Sequence, residues 1–385
     1  MSSISIYIHW PFCLSLCPYC DFNSHVANNV DHNRWLKAYE KELENFIPKI
    51  KNKEIKSIFF GGGTPSLMQP FVVQGIIGKI ASIGTISDSC EITLEANPTS
   101  FETDKFKQFK SAGINRVSLG IQSFDEKDLS VLGRKHSSCE AIKAIESASK
   151  IFSRYSFDLI YARPDQTLKK WQEELKFALT LAGNHISLYQ LTIEKGTPFF
   201  NLFRYNKFSL PADDLAATLY EWTTSYLKEH GYNRYEISNY AKSGEECIHN
   251  LCYWNYDEYI GIGPGAHSRL HDRSEVLAVM MHHKPDKWLN SVELQGHGIQ
   301  NNARLSSSEI AEELIMMGTR LSTGVKEESL MQLTKLRFID VLNHDIVNEY
   351  IKQQLITIAS NSLKLTDYGL LLHNYLIPRL LSTSL

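Results

Sequence analysis

Short apolar runs punctuate the first half of the chain at regular intervals. They read "SISIYIHW", "IKSIFF", "EITLEA", "RVSLGI", "YSFDLIY" and "HISLYQL", and each gives way to a polar or Gly-rich loop. Runs of this length bounded by turn signals predict strands. Between them, residues 33–46, 104–112 and 168–181 carry apolar positions at helical spacing, which predicts helices. Strands alternating with helices make a βα repeat. Right-handed crossovers lay such a series out as a parallel sheet, so six units predict an α/β fold, either doubly wound or an incomplete (β/α)6 TIM-like barrel. In both, chemistry gathers at the C-terminal ends of the strands. From about Tyr240 the pattern changes to a stretch rich in Gly, Asn and His, and after Ser306 helical periodicity dominates. "SSSEIAEELIMMGTRL" opens with a Ser cap, and "LKLTDYGLLLHNYLIPRLL" reads as a short strand, a turn and a helix. The expected organisation is a βα core over 1–240, a connecting segment over 241–304, and a small, mainly helical, winged-helix-like domain over 305–385.

Composition narrows the function classes. The 385 residues are 43% hydrophobic and 22% charged, as in an ordinary globular protein. With 40 basic and 43 acidic side chains the net charge is -3, so no basic field draws nucleic acid and no nucleic-acid partner is expected. The first Lys or Arg is Arg34, which leaves the N-terminus without the charged region of a secretory signal. No run of 18 apolar residues predicts a membrane span, and a cytoplasmic protein is expected. Of seven cysteines, Cys90, Cys139, Cys247 and Cys252 are scattered, whereas Cys13, Cys17 and Cys20 crowd into one loop. That is no disulfide framework; in a reducing compartment a tight cluster points to metal.

The crowded loop, "CLSLCPYCDF", has the spacing C-x3-C-x2-C directly after the first predicted strand. Thiolates select zinc or an iron-sulfur cluster. A [4Fe-4S] cube is usually held by four thiolates, so three leave one iron open. Two other readings of the same spacing stand beside this one: a zinc site with His25 as fourth ligand, and three ordinary thiols. "GGGTP" follows the second strand, where glycines let backbone N–H groups approach a polar ligand, although three glycines also make a tight turn. Asp158 sits between Phe157 and Leu159 in an apolar strand, and a carboxylate there needs a partner.

"YIHWPFCLSLCPYCDF", "FFGGGTPSLM", "EITLEANPTS", "RVSLGIQSFDEKDLSVLGRKHS" and "DLIYARPDQT", in this order, resemble the radical S-adenosylmethionine enzymes, and within them the oxygen-independent coproporphyrinogen III oxidase family. The resemblance spans nearly the whole chain. It implies a [4Fe-4S] cluster on Cys13, Cys17 and Cys20, with S-adenosylmethionine at the open iron. It also implies that Gly62, Gly63 and Thr64 contact the methionine part of that cofactor, with Tyr7 beside its cluster-bound end. Glu95, Gln122, Arg134 and Asp158 would surround the remainder, the carboxylates suited to its positive charge or ribose hydroxyls and Arg134 to its carboxylate. One departure is visible: the family commonly has Gly-Leu-Pro where this chain has Ala162, Arg163 and Pro164.

Two features resemble a haem-chaperone branch of that family. Phe22 stands where the oxidases typically carry a further cysteine, and "HNLCYW" (His249 to Trp254) matches an HNxxYW sequence associated with haem binding in the branch. Imidazole is a usual axial ligand of haem iron, and Tyr253 and Trp254 offer flat apolar surface. His249 is therefore the expected haem residue, with His267 in "GAHS" a weaker alternative and Cys247 and Cys252 flanking competitors. The resemblance implies a haem chaperone that hands haem to acceptor proteins, among them respiratory-chain and membrane-associated ones. An electron donor such as a flavodoxin or ferredoxin goes with the cluster. The second reading is the enzyme: oxidative decarboxylation of coproporphyrinogen III propionates.

Overall fold

Each of the six apolar runs forms a strand: β1 (Ser3–Trp10), β2 (Glu54–Gly62), β3 (Thr85–Ala96), β4 (Arg116–Gln122), β5 (Arg154–Tyr161) and β6 (His185–Gln190). In this computed structural model, which describes residues 2–27, 29–99, 103–272 and 275–381, they pair side by side in that order and all in parallel. Helices α1 (His32–Asn45), α2 (Pro70–Ile83), α3 (Phe106–Ser111), α4 (Ser138–Ile151) and α5 (Leu168–Leu181) lie in the crossovers. The period-two alternation of a strand then sorts the side chains. Ile4, Ile6 and Ile8 of β1, Ile58 and Phe60 of β2, and Val117 and Leu119 of β4 belong to one buried core that also takes in Val73 and Ile76 of α2 and Ala144 of α4. The opposite face is polar: Glu95 lies across from Ser118, Ser118 from Ser156, and Asp158 from Ser187. Helices cover one side of the sheet, and the polar face is left to line the interior of an open, incomplete barrel.

The sheet is larger than the six predicted strands. A seventh parallel strand, β9 (Tyr259–Ile262), pairs with the free edge of β1. Antiparallel strands extend both sides: β8 (Asn239–Ala241) and β7 (Asn233–Arg234) beyond β6, and β10 (His267–Asp272), β11 (Glu275–Met281) and β12 (Ile299–Leu305) beyond β9. The twelve-stranded sheet does not close. In the sequence β7, β8 and β9 have only two, three and four residues, too short to separate from loops, and β10, β11 and β12 lie in the stretch after Tyr240, where no βα alternation marks them.

A second core, with Ile310, Leu314, Leu330, Val341, Leu363 and Leu376, holds the mainly helical C-terminal part and its small sheet of Val325–Lys326, Ile356–Ala359 and Ser362–Leu365. Its first helix, α7 (Ser307–Gly318), starts at a capping box: Glu309 donates its N–H to Ser306 Oγ, and Ser306 donates its N–H to the Glu309 carboxylate. Tyr256 and Val276 share this core, and Arg269 on β10 forms a fork to Glu313 at 2.6 and 2.8 Å. The C-terminal part thus packs on the sheet extension. Among the described residues, no helix is long and apolar enough to cross a membrane.

Candidate functional site: a thiol-rimmed cavity and an aromatic cleft

The loop after β1 turns its three thiols toward the C-terminal strand ends. Phe12 and Cys13 pair with His25 and Val26, which ties the loop off at its base, and Cys20 donates its N–H to the Cys17 carbonyl at 3.2 Å. Cys13, Cys17 and Cys20 then line a cavity of about 190 Å³ together with Gly62, Gly63, Thr64, Glu95, Gln122, Arg134 and Asp158. Ten of the twelve predicted site residues therefore meet in one place. They come from five consecutive strands or the loops after them: the thiols from β1, Gly62 to Thr64 from β2, Glu95 from β3, Gln122 and Arg134 from β4, and Asp158 from β5. Thr64 donates to Cys13 Sγ at 3.3 Å, and Arg134 donates to Cys17 Sγ at 3.4 Å. Burial pushes the Cys13 and Cys20 thiols up, while hydrogen bonds oppose the shift at both. Gly62 has φ +110°, and a Cβ on Gly63 would lie 2.8 Å from the Phe12 carbonyl oxygen, so this turn admits glycine alone without rearrangement. His25 does not line the cavity; its Nε2 donates to Asn23 Oδ1 at 2.9 Å.

Two carboxylates face the cavity from β3 and β5, the strands on either side of β4. Burial, then the Asp158 charge, pushes Glu95 up to about 8, and burial pushes Asp158 up to about 6. Gly62 N–H donates to Glu95 Oε2 at 3.3 Å, too little to offset the burial. Both groups would ionise more readily beside a cation. Arg134 donates to Asn97 Oδ1 at 2.6 Å and to the Gly120 carbonyl at 2.7 Å, which fixes its guanidinium above the strand ends. Its Nε and the Oε1 of Gln122 are buried polar atoms without a hydrogen-bond partner among the described residues. A soft-metal cluster on the thiols, beside a small molecule carrying both a cation and a carboxylate, fits this donor set: it would satisfy the orphaned atoms and compensate the two carboxylates.

Tyr7 lies one step away. With His9, Phe22, Asn23, Gly62, Glu95, Tyr253, Tyr259, Gly265, Ala266 and His267 it lines an adjacent cleft of about 310 Å³. Phe22, Gly62 and Glu95 are common to both spaces. Phe22 is 64% exposed, as are most of Leu14 and Leu16, so an apolar rim surrounds the cysteine loop.

The six residues of "HNLCYW" lie on helix α6 (Ile248–Trp254) and separate into different tasks. Tyr253 reaches the cleft. Trp254 stacks under Arg320 of the C-terminal part at 4.5 Å. His249 lies outside both cavities at 1% exposure, against the Phe59 ring. Ser57 gives its proton to Ser5, so His249 Nδ1 donates to Ser57 Oγ at 2.8 Å and Nε2 accepts from the Tyr253 hydroxyl at 2.9 Å. Burial, then Arg116, pushes His249 down to about 3. The expected haem residue is thus a neutral imidazole with both nitrogens used, and iron could reach Nε2 only by displacing Tyr253.

The chain matches the Radical SAM superfamily over residues 7–178 and the HemN C-terminal domain over residues 305–372. It is 35% identical to the "Heme chaperone HemW" of Escherichia coli, with 98% of each chain covered. It is 34% identical to "Radical S-adenosyl methionine domain-containing protein 1, mitochondrial" of Bos taurus, over 98% of this chain and 87% of that one. The chain belongs to the HemW branch of the radical SAM superfamily. In fold it is similar to the coproporphyrinogen III oxidase HemN of Escherichia coli, with TM-score 0.82 at 20% identity over 98% of this chain and 90% of that one.

The departure in this HemW-branch chain at Ala162-Arg163 has a simple structural outcome. Ala162 takes φ +54°, the conformation a glycine would adopt there freely. Arg163 points away from the cavity and is 3% exposed, paired with Glu174 and, at 3.0 Å, with Asp128. Its charge is neutralised by the neighbouring helices and does not reach the site. Sequence reading missed Asn97, which bridges Arg134 to Thr64 (3.2 Å) and follows Glu95 in "EANP". It also missed His9, Asn23 and Tyr259 of the cleft, for which no local signal exists.

Proposed function

We propose that this chain is a haem chaperone of the HemW type: it binds haem in the aromatic cleft and passes it to acceptor haem proteins, while the adjoining cavity holds a [4Fe-4S] cluster and S-adenosylmethionine. The observation that carries the reading is the contact between the two spaces through Phe22, the residue that replaces a further cysteine. An aromatic ring there gives a flat apolar ligand a surface where a thiol would give a metal ligand. Relatives named haem chaperones over nearly the full length support it.

In this reading Cys13, Cys17 and Cys20 hold three irons of the cluster. Gly62, Gly63 and Thr64 receive the methionine end of S-adenosylmethionine, Arg134 its carboxylate, and Glu95 and Asp158 its cation and hydroxyls, with Gln122 and Tyr7 closing the shell. Bound there, the pair would supply one-electron radical chemistry, while the protein supplies placement and shielding. Residues 1–240 form the cofactor core, 241–304 bring the haem-facing segment, and 305–385 pack behind it. The proposed partners are haem, acceptor haem proteins including membrane-associated ones, and a flavodoxin or ferredoxin as electron donor; the proposed compartment is the cytoplasm.

The test is haem transfer under anaerobic conditions, alongside incubation with coproporphyrinogen III and reductant. Transfer of the Soret band from loaded protein to an apo-acceptor, without coproporphyrinogen consumption, is expected. Coproporphyrinogen decarboxylation with no haem transfer would replace this reading by the enzymatic one.

A further inference from the structure

Three imidazoles lie at or directly behind the aromatic cleft, and their hydrogen bonds separate them. His9 uses both nitrogens, Nδ1 with the Tyr7 hydroxyl at 3.0 Å and Nε2 with the Asn23 carbonyl at 2.9 Å. Since Nε2 can only donate to a carbonyl, Nδ1 accepts from Tyr7, and no lone pair remains. His249 is occupied at both nitrogens, as described. His267 differs: it lines the cleft, it is exposed, and its ring makes no hydrogen bond among the described residues. Resting on the chaperone reading, we infer that His267, not His249 of the HNLCYW motif, is the axial ligand this chain presents to haem iron, and that His249 is a positioning residue for Tyr253.

The wall that carries His267 is built to stay in place. Asn23, next to Phe22, donates to the carbonyls of Pro264 and His283, each at 2.9 Å, and so fastens the cysteine loop to the segment leading into β10. Gly263 donates its N–H to the buried Glu42 carboxylate at 2.9 Å, and Ala266 donates its own to the Gly263 carbonyl at 3.1 Å. Gly261, opposite Tyr7 in the sheet, leaves room for the approach: a Cβ there would lie 2.1 Å from the His267 carbonyl oxygen. The charged groups near His267, Arg269 and Glu313, are paired with each other, so neither competes for the ring. Across the cleft stand Tyr7, Tyr253 and Tyr259, with the last two edge to face at 4.6 Å. A planar, apolar ligand with a metal centre is the chemistry that uses three aromatic walls and one free imidazole together.

The experiment titrates ferric haem into the full chain, wild type and variants, and records affinity and the axial-ligand signature by electron paramagnetic resonance. For His267→Ala, haem binding at least about tenfold weaker is expected, with loss of the wild-type imidazole signature and its restoration by added imidazole. For His249→Gln the signature should persist with a smaller loss of affinity, because only the Tyr253 hydroxyl is disturbed. Unchanged affinity and signature in His267→Ala would overturn the inference and leave the chaperone reading intact. A wild-type chain that binds no haem would overturn both.

Discussion

The thiol-rimmed cavity and the aromatic cleft share Phe22, Gly62 and Glu95, yet they are assembled in opposite ways. The cavity is a product of topology. Parallel strands bring their C-terminal ends to one rim, and β1 to β5 each contribute residues from a short local motif. The cleft lies at the seam where β9 and β10 join the edge of β1, and distant segments hold it together: Asn23 is 241 residues from Pro264 and 260 from His283. A site made of strand ends can exchange its chemistry one loop at a time. A site made at a seam depends on the seam staying closed, which is the role of Asn23 and of the Glu42 carboxylate that receives Gly263, Gly298 and Trp288.

If the two spaces are separable, removing the thiols should empty one and spare the other. Replacing Cys13, Cys17 and Cys20 together by alanine should abolish bound iron and sulfide, measured on anaerobically isolated protein, while haem titration still saturates. Loss of both at once would merge the spaces into one site.

The two carboxylates sharpen the comparison through pH. Ordinary values for Glu95 and Asp158 are 4.5 and 3.8, but in the fold they lie at about 8 and about 6. The folded state therefore keeps its protons longer than the unfolded state. Their contribution to stability is greatest at low pH and falls as pH rises from the carboxylate range through about 8. A cationic ligand reverses this preference, so S-adenosylmethionine should bind more tightly from pH 6 to pH 8, by up to about tenfold per unit, with proton release detectable by calorimetry in two buffers. Glu95→Gln should flatten that slope.

Arg163 tests where the cavity ends. Because its partner Glu174 is nearly buried, Arg163→Leu should cost about 3 kcal/mol in a denaturant titration, with S-adenosylmethionine affinity unchanged. Tyr253→Phe removes one hydrogen bond from buried His249 and should cost about 1 to 2 kcal/mol, together with a few-fold loss of haem affinity that Arg163→Leu does not share. The smallest effect belongs to Ala162→Gly, which relieves a left-handed alanine and should stabilise by less than about 1 kcal/mol.

These assignments also mark what the sequence could reveal. Strands β1 to β6 were legible because their apolar runs are bounded by turns, and Leu168–Leu181 because its helical period is sustained. Of the residues that meet at the cavity, the three cysteines were legible from their spacing, and Gly62, Gly63, Thr64, Glu95, Gln122 and Arg134 through motifs that resemble a known family. Asp158 announced itself as a carboxylate inside an apolar run. By contrast, β9 has only four residues and lies in a stretch without the βα alternation, so the seventh parallel strand and the sheet extension escaped notice. The direction taken by His249 was equally hidden: helix α6 is one motif, but which of its side chains faces inward depends on Ser5, Ser57 and Phe59 from other strands. The pairing of Arg163 with Glu174 and Asp128 is a tertiary event, and a local reading could only register the charge.

The most direct measurement of the central claim is an anaerobic haem titration of the full chain with iron, sulfide and bound S-adenosylmethionine quantified before and after. Two neighbouring sites predict that a Soret band saturates at about one haem per chain while cluster iron, sulfide and S-adenosylmethionine are retained. Haem that enters only as the cluster is lost, with the spectrum of a thiolate-ligated iron, would contradict the account.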